Sequence, residues 1–145
     1  MGMVDISQCR LALRQRQEAR RQGHLLLWER AQADAGRLVG HIAQHYRPQR
    51  IIQWGSVLEP DRFGPRSDID IAVEGDFDAE TWFRLLGELW SMTTFPVDLV
   101  DLRRIEPEFA DIIRMKGKVV YERRPVAPRR NPQEPGGTGE DRAVL

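Results

Sequence analysis

The strongest constraint on the fold is a change of hydrophobic period along residues 48–122. Short strand-like runs alternate there with longer runs whose apolar residues recur every third or fourth position, as in amphipathic helices. With the helical stretch before them, the segments run α, β, β, α, β, α, β. The second strand follows the first after a loop without a helix, so we expect an antiparallel pair. The pattern therefore predicts an α+β fold, a small mixed sheet flanked by helices, rather than a fully wound parallel sheet.

Local signals give approximate bounds for these segments. Strands are predicted at residues 50–54, 68–73, 95–102 and 118–122. Asp78 is the expected N-cap of a helix with an apolar stripe, and that stripe is expected in the core: Trp82, Leu85, Leu86, Leu89 and Trp90. A further helix begins at Pro107 and runs to about Lys116, because Pro suits the first turn and Gly117 the end.

Composition divides the chain into three zones. Residues 1–24 are rich in arginine and are predicted to form a basic N-terminal helix or extension, with Gly23 as the break from a second helix. Residues 25–122 form the predicted domain, which opens with a helix face made of Leu27, Ala31, Ala35, Leu38, Ile42 and Tyr46. Residues 123–145, rich in Pro, Gly and Arg and poor in apolar side chains, are predicted to be a disordered tail.

Charge and cysteine content exclude several classes of protein. Lys+Arg and Asp+Glu are balanced at 22 each, so binding to nucleic acid is not expected from net charge. Cys9 is the only cysteine, which excludes an internal disulfide and favours a reducing compartment. The sequence contains neither a signal-peptide pattern nor an apolar run of the ~20 residues that span a bilayer. We therefore expect a cytoplasmic protein that does not enter a membrane.

Three aspartates are the main candidates for chemistry. Asp68 and Asp70 are two apart on a predicted strand, so their carboxylates leave one face roughly 7 Å apart. Like charges this close are unfavourable unless a cation lies between them, and hard oxygen ligands suit Mg²⁺ or Mn²⁺. Asp98, on a neighbouring predicted strand, would complete the cluster. The simpler alternatives are a solvated strand face for the pair, and a salt bridge from Asp98 to Arg103 or Arg104.

Gly55 and Ser56 follow the first predicted strand. Glycine lets the backbone approach a phosphate closely, and the hydroxyl and nearby N–H groups can bind its oxygens. The plain alternative is an ordinary turn.

Taken together, these segments resemble the minimal nucleotidyltransferase domains of the DNA polymerase beta superfamily. The resemblance is carried by Trp54-Gly55-Ser56, by Ser67 to Val73 with its Asp-Ile-Asp, and by Val97-Asp98-Leu99-Val100. It implies that Gly55 and Ser56 contact a nucleotide triphosphate. The family's loop after this pair is usually basic, whereas here the positive charge near the phosphates comes from Arg62 or Arg66 or is missing; Arg66 is the residue predicted to bind. It also implies that Asp68, Asp70 and Asp98 are catalytic and bind two Mg²⁺ ions, Asp98 helping to deprotonate the acceptor.

Small members of this family often accompany a helical HEPN ribonuclease toxin and act as its antitoxin, in some cases by transferring AMP from ATP to a tyrosine. The resemblance therefore implies an ATP-dependent enzyme that modifies a protein hydroxyl, with a HEPN-type toxin as the expected partner. The alternative is a weak or inactive binding module that neutralises its partner by occlusion, with the basic N-terminal helix as the contact surface.

Overall fold

The computed structural model describes Met3 and residues 5–125, in which four strands form one mixed sheet. The strands are β1 (Arg50–Trp54), β2 (Ile69–Glu74), β3 (Val97–Asp101) and β4 (Lys118–Glu122), and they lie in the order β3-β2-β1-β4. β1 is antiparallel to both β2 and β4, whereas β2 and β3 are parallel. The predicted α+β class and antiparallel first pair are confirmed. The third strand is shorter than the predicted 95–102.

In the part of the chain that the structure describes, three helices flank the sheet: α1 (Ile6–His45), α2 (Ala79–Met92) and α3 (Pro107–Lys116). A single 3-10 turn, Gly55–Leu58, follows β1. α2 makes the crossover that parallel pairing of β2 and β3 requires. Within the described residues no helix is both long and apolar enough to cross a membrane.

α1 is one continuous helix of 40 residues, capped by the Asp5 carboxylate, which accepts the N–H of Ser7 at 2.9 Å. The predicted break at Gly23 is wrong. A glycine inside a helix costs only about 1 kcal/mol relative to alanine, and the flanking residues are good helix formers. The predicted apolar face is confirmed, since Ala31, Ala35, Leu38 and Ile42 are fully buried. Residues 5–23 are exposed along their whole length.

α2 begins as predicted, with the Asp78 carboxylate accepting the N–H of Thr81 at 2.7 Å. Leu85 and Leu89 are buried, but Trp90 is 57% exposed, so its expected place in the core is wrong. Its indole N–H donates to the carbonyl of Val97 on β3 at 3.3 Å. Because β3 is an edge strand, a side chain packed against it is covered from one side only.

The two faces of the sheet bury separate apolar clusters. The face under α1 and α2 carries the larger one, which includes Ile51, Ile69, Ile71 and Val73. The face under α3 carries a smaller one, made of Ile52, Ala72, Leu102, Ala110 and Ile113. Since side chains alternate along a strand, Asp70 lies on the same face as Ala72 and therefore on the side of α3. The predicted opposition of isoleucines and aspartates in β2 is confirmed.

Two predictions about chain organisation are not tested by this structure. The predicted tail, 123–145, lies outside the described residues from 126 onward. The boundary between residues 24 and 25 falls inside α1 and stays a prediction.

Candidate active site

Gly55 forms the junction between β1 and the 3-10 turn. Its φ of +78° lies in the region that only glycine adopts easily. A Cβ at this position would stand 2.1 Å from Oδ2 of Asp70, far inside van der Waals contact. The positive φ therefore favours glycine here, and a side chain would in addition require the Asp70 carboxylate to move.

The sheet brings the candidate aspartates together. In the register of the sheet, Asp70 lies opposite Trp54 of β1 on one side and opposite Asp98 of β3 on the other. Neighbouring strands are about 4.8 Å apart, so Asp70 and Asp98 start from adjacent backbone positions on one face. Asp68 precedes β2 by one residue and leaves the chain on that same face. Asp68 and Asp70 are half-buried, and Asp98 is exposed.

The electrostatics of the site are those of carboxylates without a counter-charge. Burial, together with the charges of Asp98 and Asp68, raises the pKa of Asp70 from its ordinary value of 3.8 to about 7. Among the described residues, no arginine or lysine lies within salt-bridge distance of these three aspartates. The site is therefore short of positive charge.

The salt-bridge alternative for Asp98 does not hold in this structure. Arg104 lies 3.5 Å from Asp101 instead, and the Arg103 guanidinium donates to the side-chain oxygen of Gln49 at 2.7 Å. Both arginines are thus engaged away from the acidic cluster, which leaves Asp98 free for another role.

The donor set fits an oxygen-preferring divalent cation. Three carboxylates on one face, one of them with a strongly raised pKa, are the groups that Mg²⁺ or Mn²⁺ would neutralise. In the described part of the chain, no three carboxylate, imidazole or thiol groups already surround a single ion position. Rotation of the aspartate side chains is therefore needed to close a cation site.

A cleft of about 430 Å³ lies between the 3-10 turn and α3. It is lined by Trp54, Gly55, Ser56, Leu58, Glu59, Arg62, Phe109, Ile112, Ile113 and Lys116. The rings of Trp54 and Phe109 meet edge to face, with centroids 5.8 Å apart. Gly55 both lines this cleft and touches Asp70, so the cleft and the acidic cluster share a boundary.

The positive groups of the cleft are Arg62, one of the two expected arginines, and Lys116, which was not expected. Arg62 and Lys116 line it, although Arg62 also pairs with Glu59 at 3.3 Å. Arg66 is exposed in the loop and does not belong to this lining, so its role in binding stays a prediction. Sequence reasoning missed Lys116 and Phe109, although their positions had a signal. The spacing of residues 109, 112, 113 and 116 places them on one face of a helix, and this face of α3 lies toward the 3-10 turn.

The chain matches a known family and a set of solved complexes. Residues 38–125 match the family model "Polymerase beta, Nucleotidyltransferase", which is more than half of the chain. A crystal structure of a toxin–antitoxin with AMP-PNP has a TM-score of 0.50 and 27% identity, over 63% of this chain and 73% of that one. A mutant of the MntA–HpeT toxin–antitoxin has a TM-score of 0.51 and 24% identity, over 61% and 72%.

A third complex contains a tri-AMPylated Shewanella oneidensis HEPN toxin with its MNT antitoxin. It has a TM-score of 0.48 and 26% identity, over 63% of this chain and 72% of that one. No curated protein is significantly similar to the chain. The resemblance to minimal nucleotidyltransferase domains is confirmed by the match over residues 38–125. The chain therefore belongs to the polymerase beta nucleotidyltransferase family.

Proposed function

We propose that this chain is a Mg²⁺-dependent nucleotidyltransferase that moves AMP from ATP to a hydroxyl group of a protein partner, a HEPN-type toxin. The observation that carries the proposal is the contact of Gly55 with Asp70. It makes the wall of the cleft of about 430 Å³ continuous with a cluster of carboxylates that, among the described residues, has no arginine or lysine within salt-bridge distance. A triphosphate bound along Gly55 and Ser56 would lie directly beside those carboxylates.

In this proposal some residues bind the phosphates and others hold the cation or accept the proton. The backbone at Gly55 and the hydroxyl of Ser56 bind phosphate oxygens, while Lys116 and Arg62 add positive charge at the cleft. Asp68, Asp70 and Asp98 would hold the cation, which when bound neutralises phosphate charge and polarises the reacting phosphorus. Arg66, exposed in the same loop, is a further candidate for contact with the triphosphate.

The transfer step balances without any other reactant. The acceptor oxygen forms a bond to the α-phosphorus of ATP as the bond to the β-phosphate oxygen breaks, and pyrophosphate leaves. The acceptor proton passes to a carboxylate, for which Asp98 is the best placed. Asp98 is exposed on the edge strand β3, where a protein acceptor can approach it from solvent.

The partner and donor are supported by likeness to a solved complex. The toxin–antitoxin structure with AMP-PNP is 27% identical to this chain and has the same fold. We infer a protein acceptor of the toxin type and an adenine nucleotide donor. We also place the reaction in the cytoplasm, where ATP and Mg²⁺ are available and Cys9 would stay reduced.

The decisive experiment is incubation with labelled ATP and Mg²⁺, alone and with the product of the neighbouring gene, followed by intact mass. Added AMP on the partner, abolished by Asp68→Ala/Asp70→Ala and retained by Asp101→Asn, would support the proposal. A stable complex with no added AMP would instead favour the binding module that neutralises its partner by occlusion. Loss of both transfer and complex formation in the double variant would contradict both.

A further inference from the structure

Two side chains of α1 hold a backbone carbonyl beside the Gly-Ser turn. Nε1 of Trp28 donates to the carbonyl oxygen of Val57 at 2.8 Å, and Nε2 of Gln32 donates to the same oxygen at 2.5 Å. The two donors are four residues apart and therefore share one face of the helix. A carbonyl oxygen has two lone pairs, so both bonds can form at once.

The sequence explains why this carbonyl needs partners from outside the turn. In a 3-10 turn each carbonyl accepts from the N–H three residues on, as the Ser56 carbonyl does from Glu59 at 3.0 Å. For Val57 that residue is Pro60, which has no N–H. Val57 is fully buried, so its carbonyl would otherwise lose hydrogen bonding on folding. Trp28 and Gln32 supply the missing donors.

The same part of α1 runs alongside the rest of the loop. A groove of about 270 Å³ is lined by Gln17, Arg20, Arg21, His24 and Leu25 of α1 and by Pro60 and Asp61 of the loop. His24 also approaches Gly64, whose Cβ position would lie 3.9 Å from Cε1 of the imidazole. Trp28 and Gln32 precede residue 38, where the match to the family model begins. The helix side of this contact therefore lies outside the matched region, whereas Val57 and the loop lie inside it.

We propose that Trp28 and Gln32 are positioning residues that hold the Gly55–Leu58 turn in the conformation that binds phosphate. The inference rests on the proposed function of that turn. Because Gly55 has no Cβ to restrict its backbone, a fixed point on the other side of the turn supplies a restraint that the glycine does not. Fixing the Val57 carbonyl sets the peptide plane between Val57 and Leu58, and burial of the Val57 side chain sets the residue itself. The backbone of Ser56 is then held from both sides.

The test combines nucleotide affinity with hydrogen exchange in the full chain. Trp28→Phe/Gln32→Met removes both donors and preserves most of the side-chain volume. We expect the Kd for ATP with Mg²⁺ to rise at least about tenfold, because small misplacements of a binding group are costly. Amide exchange at residues 56–59 should become faster, while exchange in β1 and β2 is unchanged. Each single variant keeps one donor. Its change in the logarithm of the Kd, and in the logarithm of the exchange rate, should therefore be less than half of that in the double variant.

Trp90→Phe is the matched control, because it removes an indole donor from another valine carbonyl, that of Val97. It should leave exchange at residues 56–59 unchanged. Unaltered exchange at the turn in the double variant would overturn the inference, and so would faster exchange throughout the sheet, which would indicate a general structural role. If the wild-type chain binds no ATP, the proposed function fails, while the exchange data still decide whether α1 holds the turn.

Discussion

The backbone of Gly55 lies against the carboxylate of Asp70, with an ideal Cβ position only 2.1 Å from Oδ2 and 3.0 Å from Cγ. Trp54 pairs with Asp70 in the β1–β2 register, so Gly55, the next residue of the chain, lies beside the Asp70 side chain. Strand pairing thus places a candidate phosphate-binding residue and a candidate metal ligand side by side.

Gly55→Ala is expected to abolish transfer and to weaken the fold. The new methyl group must displace the Asp70 carboxylate, and the left-handed backbone costs a residue with a Cβ about 1–2 kcal/mol. Transfer assays and urea unfolding measure the two effects. Gly36→Ala is the control, because Gly36 lies inside α1 and a Cβ there would meet none of the described residues within 4 Å. It should raise stability by about 0.5–1 kcal/mol and leave transfer intact. An active Gly55→Ala variant would contradict the assignment of this turn.

Two aspartates on β3 should respond in opposite ways to the same substitution. Asp98→Asn should reduce the rate of transfer by roughly 100-fold or more and leave stability unchanged. Loss of a residue that only supports a metal ligand already lowers activity or metal affinity by about 10–100-fold, and a ligand should matter at least as much. Asp101 is buried, accepts the N–H of Arg103 at 3.0 Å and pairs with Arg104. Asp101→Asn should therefore lower the free energy of unfolding by about 1 kcal/mol and leave transfer unchanged. The reverse pattern would move the catalytic role from Asp98 to Asp101.

Much of the fold was predictable because each element carries its own signal. Asp78 caps α2, Pro107 begins α3, and alternation along β2 separates Ile69 and Ile71 from Asp70. The same alternation predicted that Asp68 and Asp70 share a face, and the parallel neighbour β3 then brought in Asp98. Local periodicity was sufficient wherever the relevant contacts lie on adjacent strands.

The remaining features depend on contacts between distant segments, which no local pattern encodes. Nothing in the sequence near Gly23 reveals that α1 continues through it, because the cost of one glycine is small compared with the helix around it. Lys116 lines the cleft because α3 packs beside the 3-10 turn, and the sequence alone does not predict that packing. The bonds from Trp28 and Gln32 to Val57 span more than twenty residues of sequence, and only the proline at position 60 hinted that they were needed.

The identity of the positive group at the phosphates can be settled by comparing three substitutions. Lys116→Met should raise the Kd for ATP about tenfold, which is the loss of one charge-assisted contact of about 1.5 kcal/mol. Arg66→Gln tests the residue predicted from the sequence, which is exposed and outside the cleft lining. Lys118→Met, an exposed lysine on β4, is the control and should have no effect. A larger effect of Arg66→Gln than of Lys116→Met would place the triphosphate along the loop rather than in the cleft.

The raised pKa of Asp70 predicts an unusual dependence of stability on pH in the metal-free protein. With a folded pKa of about 7 against an ordinary 3.8, the native state keeps a proton on Asp70 that the unfolded state has released. The contribution of Asp70 to the free energy of unfolding is therefore fully present below pH 3.8 and is lost as the pH rises to about 7. Asp34, Asp78 and Glu88, whose pKa values are lowered, act in the opposite direction, but their contribution is already complete above their ordinary values of 3.8 to 4.5.

Urea unfolding in EDTA from pH 5 to 8 should consequently show a free energy of unfolding that falls and then levels off, and Asp70→Asn should remove this fall. Excess Mg²⁺ should stabilise the wild-type chain increasingly as the pH rises through 7, because the cation competes with the proton for the same carboxylate. Asp70→Asn should lose most of that stabilisation. An identical pH slope in wild-type and Asp70→Asn chains would show that Asp70 is ionised without a cation, and the carboxylate cluster would then need no metal to be stable.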